Sequence, residues 1–281
     1  MPISDTHLTV ALISDVFETP ALYGRLHDRL QEAQSLGADL AVLPELPLNP
    51  WSPATRMPRD DDAEPPGGPR QVAQASAAAD VGIHLVGGAI ITDPATGVGR
   101  NTAIVFDNAG DVLGTYAKCH LPHEPGFWER SHYEPGEVGA VPIAIGPWKI
   151  GIQICSDMNR PQGTHLLAAS GADVVICPRS TERITWPRWR PVFIAAAVTS
   201  RCYTCSVNRP APEHGVLIGG PSIAVAPDTT VLAESTQPVS IFTAQRAALT
   251  KARTDYPGYL PVRADLYASG WADVATTTPS I

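Results

Sequence analysis

Short apolar, β-branched runs alternate along this chain with longer stretches of helical period, the pattern of an α/β sheet protein. The runs Leu8–Ser14, Leu40–Leu43, Ile83–Ile91, Asn101–Phe106, Lys149–Ile154, Val174–Cys177, Tyr203–Val207 and Ser222–Val225 predict strands. Val112 to Ala117 reads as a further, outgoing strand. Between the first two strands Leu22, Leu26 and Leu30 recur every four residues, which puts one apolar stripe on a helix. Gly37 is placed to close that helix in a left-handed cap. Further helices are predicted over Arg70–Ala79, Gly163–Ala169 and Arg190–Thr199. No internal repeat or break in composition marks a second domain, so residues 1–281 read as one. One stretch departs from the pattern. Ser52 to Pro69 holds five prolines and reads equally well as a mobile insertion or a pocket wall.

Composition narrows the class. Apolar residues make up 44% of the 281 and charged residues 17%, enough for a sizeable core and too apolar for disorder. A net charge of −8 argues against a nucleic-acid partner, which needs a basic stripe. No apolar run reaches the roughly 18 residues that span a bilayer, so no membrane association is expected. Met1 to Leu8 carries Asp5 and no basic cluster, unlike a secretory signal. Five cysteines without regular spacing read as reduced thiols of a cytoplasmic protein.

Three reactive side chains stand at the ends of apolar runs. Cys155 follows Lys149–Ile154 and precedes Pro161, a helix-starting residue. A strand-to-helix turn there would expose the thiol and aim backbone N–H groups at a reacting carbonyl, and nearby positive charge would favour thiolate. Glu45 closes Ala41-Val42-Leu43-Pro44, where a carboxylate is costly unless it is paired or working. Lys118 ends the run from Val112, and its ammonium suits an oxyanion or a carboxylate partner. Taken singly, each has an ordinary explanation: a buried thiol, an exposed glutamate, a solvated lysine. Together they form a hydrolytic set of nucleophile, proton carrier and fixed positive charge.

Their order and context resemble the nitrilase superfamily of carbon–nitrogen hydrolases. Pro44-Glu45 matches its glutamate strand end, Lys118-Cys119-His120-Leu121-Pro122 its K-x-H-L-P segment, and Gly151 to Asp157 its G-x-x-x-C-x-D segment. Glu129-Arg130-Ser131-His132-Tyr133-Glu134-Pro135-Gly136 matches E-x-x-x-(Y/F)-x-P-G. Later landmarks are Val207-Asn208-Arg209, Gly219-Gly220-Pro221-Ser222 and Arg263 to Tyr267. The resemblance implies a four-layer αββα sandwich, a homodimer or larger assembly, and no cofactor or metal. It implies Glu45, Lys118, Cys155 and the second carboxylate Glu129 as catalytic residues. Two positions depart from the family: Asn159-Arg160-Pro161-Gln162 replaces R-F-P-E, and Ala117 replaces the arginine before the lysine.

The implied reaction is hydrolysis of a small amide or N-carbamoyl compound through a thioester. Ser156-Asp157 after the cysteine follows amide-cleaving branches, whereas nitrilases carry Trp-Glu; a nitrilase and a non-catalytic scaffold are the alternatives. Trp51, Trp128, Asp157 and Arg179 are the expected substrate-binding residues, with Phe127, Trp186, Trp189 and Arg183 as further candidates. Cys119-His120 with His123 lacks a second ligand pair for zinc. Cys202 and Cys205 have redox spacing but read as two buried thiols, and Gly87-Gly88 marks a bulge or close packing.

Overall fold

Each apolar run forms a strand, and the strands gather into two sheets. The structure, a computed structural model, describes residues 3–137, 139 and 141–277. In chain order the strands are β1 (His7–Ile13), β2 (Leu40–Val42), β3 (Ala63–Glu64), β4 (His84–Thr92), β5 (Gly99–Phe106), β6 (Val112–Ala117), β7 (Ile143–Ile145), β8 (Trp148–Ile152), β9 (Val174–Arg179), β10 (Tyr203–Asn208), β11 (Ser222–Val225), β12 (Val231–Ser235) and β13 (Val239–Gln245). The helices are α1 (Tyr23–Ser35), α2 (Pro69–Val81), α3 (Pro161–Ala169), α4 (Trp186–Ser200), α5 (Arg246–Thr254) and α6 (Ala264–Thr277). The first sheet runs β13-β1-β2-β4-β5-β6, with β3 on β4, and the second runs β12-β11-β10-β9-β8-β7.

Strand periodicity sorts the side chains into layers. On the first sheet Leu8, Val10, Leu12, Val42 and Val105 point into the core shared with Ile152, Val174 and Ile176 of the second. The alternate residues Ala11, Ile13, Leu85 and Ile104 pack against Leu26, Leu30 and Ala33 of α1 and Ala77 and Ala78 of α2. Leu167 of α3 and Phe193 and Ala197 of α4 close the outer face of the second sheet. Helices, sheet, sheet and helices make the four-layer sandwich. Among the described residues no helix is long and apolar enough to cross a membrane.

Local signals resolve as expected in detail. Gly37 follows α1 at φ 84°, and Pro161 opens α3. Gly87-Gly88 is close packing rather than a bulge: β4 pairs with β5 in unbroken register through both residues. A Cβ on Gly87 would lie 1.9 Å from Gln74 Oε1. The Gln74 amide exchanges bonds of 2.8 and 3.1 Å with Gly88, filling the gap along β4 between its pairings with β2 and β3.

The proline-rich insertion is anchored at both ends. Glu64, in β3, accepts the backbone N–H groups of Arg70 and Gln71, both at 2.9 Å, a carboxylate set on the N-terminus of α2. At the other end Pro53 O accepts Trp128 N–H at 2.8 Å. Six elements escape the sequence pattern: β3, β7, β12, β13, α5 and α6. β13 pairs with β1 over seven residues, yet buries only Phe242 and Ala244, so this edge strand shows no apolar run.

Candidate active site

Three of the motif residues, Glu45, Lys118 and Cys155, lie just past strand ends, and a loop after β6 brings in the fourth. Glu45 follows β2, Lys118 follows β6, and Glu129 opens a single helical turn, Glu129–Ser131. All three are buried. Lys118 Nζ lies 2.7 Å from Glu45 Oε1 and 2.6 and 2.7 Å from the two oxygens of Glu129. Asn101 of β5 donates Nδ2 to Glu45 Oε1 at 2.9 Å, and its carbonyl accepts Lys118 N–H at 2.9 Å. β5 therefore sets carboxylate and ammonium in register.

The electrostatics follow from burial. Desolvation pulls the Lys118 ammonium down, but Glu129 and Glu45 outweigh it and hold the group well above the ordinary lysine value. Burial pushes Glu129 up to about 7, against the pull of Lys118 and with that of Glu45. Two carboxylates and one ammonium leave the cluster one proton short of neutral. Among the described residues Glu45 Oε2 has no hydrogen-bond partner, so that oxygen is free to take one.

Cys155 opens the single turn Cys155–Asn159 directly after Ile154. Its φ of 47° is a conformation that side-chain-bearing residues seldom adopt outside tightly determined turns. Sγ lies 3.8 Å from Ser180 O. Burial pushes the thiol well above its ordinary value and Glu45 adds to this, while Lys118 opposes. Burial first, and then the two carboxylates against the one ammonium, favour the thiol over the thiolate expected from nearby positive charge. Cys155 lines a pocket of about 150 Å³ with Phe127, Ser180, Thr181 and Trp189 among its walls. A thiol beside a proton-accepting cluster at a pocket is the equipment of nucleophilic acyl chemistry.

The sequence profile of the carbon–nitrogen hydrolase family matches residues 10–253. The chain belongs to the carbon–nitrogen hydrolases. It is 29% identical over 229 residues to a nitrilase of Pyrococcus abyssi (strain GE5 / Orsay), covering 81% of this chain and 84% of that one. To the deaminated glutathione amidase of Homo sapiens it is 26% identical over 283 residues, 95% of this chain and 86% of the other. The crystal structure of a carbon–nitrogen hydrolase from Helicobacter pylori G27 superposes with a TM-score of 0.85 at 21% identity, covering 94% and 98% of the two chains. These relatives place the protein among hydrolases of non-peptide C–N bonds.

In this hydrolase the four expected catalytic residues come together, and the expected substrate-binding residues do not. Asp157 is fully buried. One of its oxygens accepts His120 N–H at 2.8 Å and Cys119 N–H at 3.2 Å; the other accepts Tyr116 O–H at 2.9 Å and Ile154 N–H at 3.2 Å. It ties the lysine loop to the cysteine turn. Trp51 is core, donating Nε1–H to Gly126 O at 2.9 Å. Arg179 is buried and spends its donors on Ser206, Thr181 and Pro221. Trp128 takes the Arg56 guanidinium over its ring at 3.9 Å, while its neighbour Phe127 lines the pocket. Trp189 lines it too, whereas Arg183 lines a separate hollow with Ile184 and Leu217.

Sequence reasoning missed Asn101 and the work of Arg209. Arg209 Nη1 donates to Glu45 O at 2.9 Å and Leu46 O at 2.7 Å, Nη2 donates to Asn49 O at 3.0 Å, and Glu213 balances its charge at 2.6 Å. This holds the backbone that presents Glu45. Val207-Asn208-Arg209 was the only signal. Among the described residues no group of three or more His, Cys, Asp or Glu is arranged to hold a metal ion.

Proposed function

We propose that this hydrolase cleaves small amides or N-carbamoyl compounds through a thioester on Cys155. The observation that carries the reading is Lys118 Nζ held at 2.6–2.7 Å between Glu45 and Glu129 beside that thiol. Glu45 takes the Sγ proton as sulfur attacks the amide carbon. The tetrahedral oxyanion is held by Lys118 and by backbone N–H at the cysteine turn. Glu45 returns the proton to the departing ammonia or amine, the C–N bond breaks, and a thioester remains. Glu45 then takes a proton from water, the hydroxide adds to the thioester, and the thiol leaves reprotonated. Glu129 keeps the ammonium charged and aimed. No step calls for a cofactor.

Intact mass after mixing with an amide or activated ester tests this. An acyl adduct on Cys155, absent from Cys155→Ala, is the expected result; hydrolysis surviving in Cys155→Ala would overturn it. The nitrilase reading draws on the Pyrococcus relative, and matched pairs of nitrile and amide decide between them. Ser156-Asp157 favours the amide.

The same reading extends to assembly and location. Leu266, Tyr267 and Trp271 on α6 are about half to two-thirds exposed. An apolar face of this kind supports a homodimer or larger assembly in which a second copy covers it. Truncation after Thr254 is expected to lower the mass seen by light scattering; a wild-type monomer at micromolar concentration would refute the assembly. Five cysteines with no disulfide among the described residues support a reducing, cytoplasmic location.

A further inference from the structure

We propose that the acyl chain of the substrate carries a positive charge, and that Glu124 and Glu182 select it. This rests on the amidase reading of the Cys155 pocket. The charged residues lining that pocket are Glu124 and Glu182; among the described residues no lysine, arginine or histidine lines it. Neither glutamate forms a side-chain hydrogen bond or ion pair within the described chain. Other acids near the site do: Glu213 pairs with Arg209 at 2.6 Å and Glu234 with Arg190 at 2.9 Å.

The nearby cations do not offset the pair. Arg183 follows Glu182 in sequence but lines the hollow with Ile184 and Leu217. Arg130 lines another, with Cys119 and Glu134. Arg179 is buried with its donors occupied. Lys118 is outnumbered by its own two carboxylates. Both charged side chains that line the pocket are carboxylates, so an anionic acyl chain entering it meets repulsion and finds no cation among the lining residues. Phe127 and Trp189 add aromatic walls, which suit an ammonium as well as carboxylates do. A volume of about 150 Å³ suits a short acyl chain.

Three amides of nearly equal length test this: 4-aminobutyramide with a terminal ammonium, valeramide with a methyl, and glutaramate with a carboxylate. Their kcat/KM values are expected to fall in that order, with about ten- to a hundredfold between the two charged chains at low salt. The preference should shrink as salt is added. Glu124→Gln with Glu182→Gln should bring the charged chains to within a few fold of each other. Thiol-directed methanethiosulfonates with ammonium or sulfonate tails, normalised to a free thiol and read by mass at Cys155, give the order without any amide. Equal labelling by the two tails, or faster labelling by the anion, overturns the inference even if amides are hydrolysed. Cation-selective labelling with no amide turned over would instead sustain the selectivity of the pocket and overturn the amidase reading.

Discussion

Lys118 and Arg179 are both buried cations at strand ends, and they are kept in different company. Lys118 touches two carboxylates within 2.7 Å. Arg179 touches hydroxyls and a carbonyl, with its guanidinium 5.2 Å from the Trp186 ring centre and 5.7 Å from that of Phe193. Burial therefore lowers Arg179 to about 10, while Lys118 stays well above its ordinary value. A buried charge among neutral dipoles can brace a backbone. A buried charge among opposite charges fixes a local field in which a neighbouring thiol and carboxylate exchange a proton. The difference separates a brace from the centre proposed to react.

The sharpest way to break the comparison is Lys118→Met. Loss of oxyanion stabilisation and of the field on Glu45 is expected to cost at least about a thousandfold in kcat/KM. Two carboxylates would also be left facing each other, lowering stability by about 3–5 kcal/mol. Adding Glu129→Gln should recover much of the stability in denaturant melts and none of the rate. Turnover near wild type in Lys118→Met would reduce that lysine to a brace.

Glu129→Gln alone comes next. It keeps shape and removes charge, so kcat should fall by about a hundredfold, or roughly 2–4 kcal/mol on the barrier. Exposed Glu134→Gln should be close to wild type. Equal effects at the two positions would take Glu129 out of the site.

Arg179→Met probes the other cation. It leaves Ser206, Thr181 and the Pro221 carbonyl short of a donor, a loss of about 1–3 kcal/mol in urea melts, with kcat/KM within about threefold of wild type. A collapse in rate at unchanged stability would move Arg179 into the reacting centre.

The smallest effect is a pH slope. The ordinary value for the Glu129 carboxyl is 4.5 and burial raises it to about 7 in the fold. Between those values the folded chain holds a proton that the unfolded chain has released, so this group's contribution to stability falls as pH rises through the window. The stability difference between Glu129→Gln and wild type should therefore move in favour of the variant from pH 5 to pH 8. A flat difference would mean that Lys118 holds Glu129 ionised throughout.

Much of this was legible without coordinates. The runs at Leu8, Leu40, Ile83, Val174 and Tyr203 mark their strands, because a strand buried on one or both faces needs apolar residues in sequence. β13 and α6 went unread because an edge strand and an exposed helix carry no such pattern. The order of Glu45, Lys118, Glu129 and Cys155 pointed to one hydrolytic set, and the fold brings all four together. Asp157, Trp51 and Arg179 were read as facing substrate because they flank the motifs. The fold uses their polar atoms internally instead.

The chain alone determined its buried strands and which reactive side chains stand just past them, since period and turn chemistry lie in near neighbours. Tertiary structure decided which polar side chains are already satisfied. Asn101 meets Glu45 across 56 positions, Arg209 reaches the Glu45 carbonyl across 164, and Glu124 and Glu182 meet at one pocket with no side-chain partner among the described residues. Whether a carboxylate braces, reacts or waits for a ligand depends on the donors that distant segments carry to it, and those donors become neighbours only when the two sheets pack.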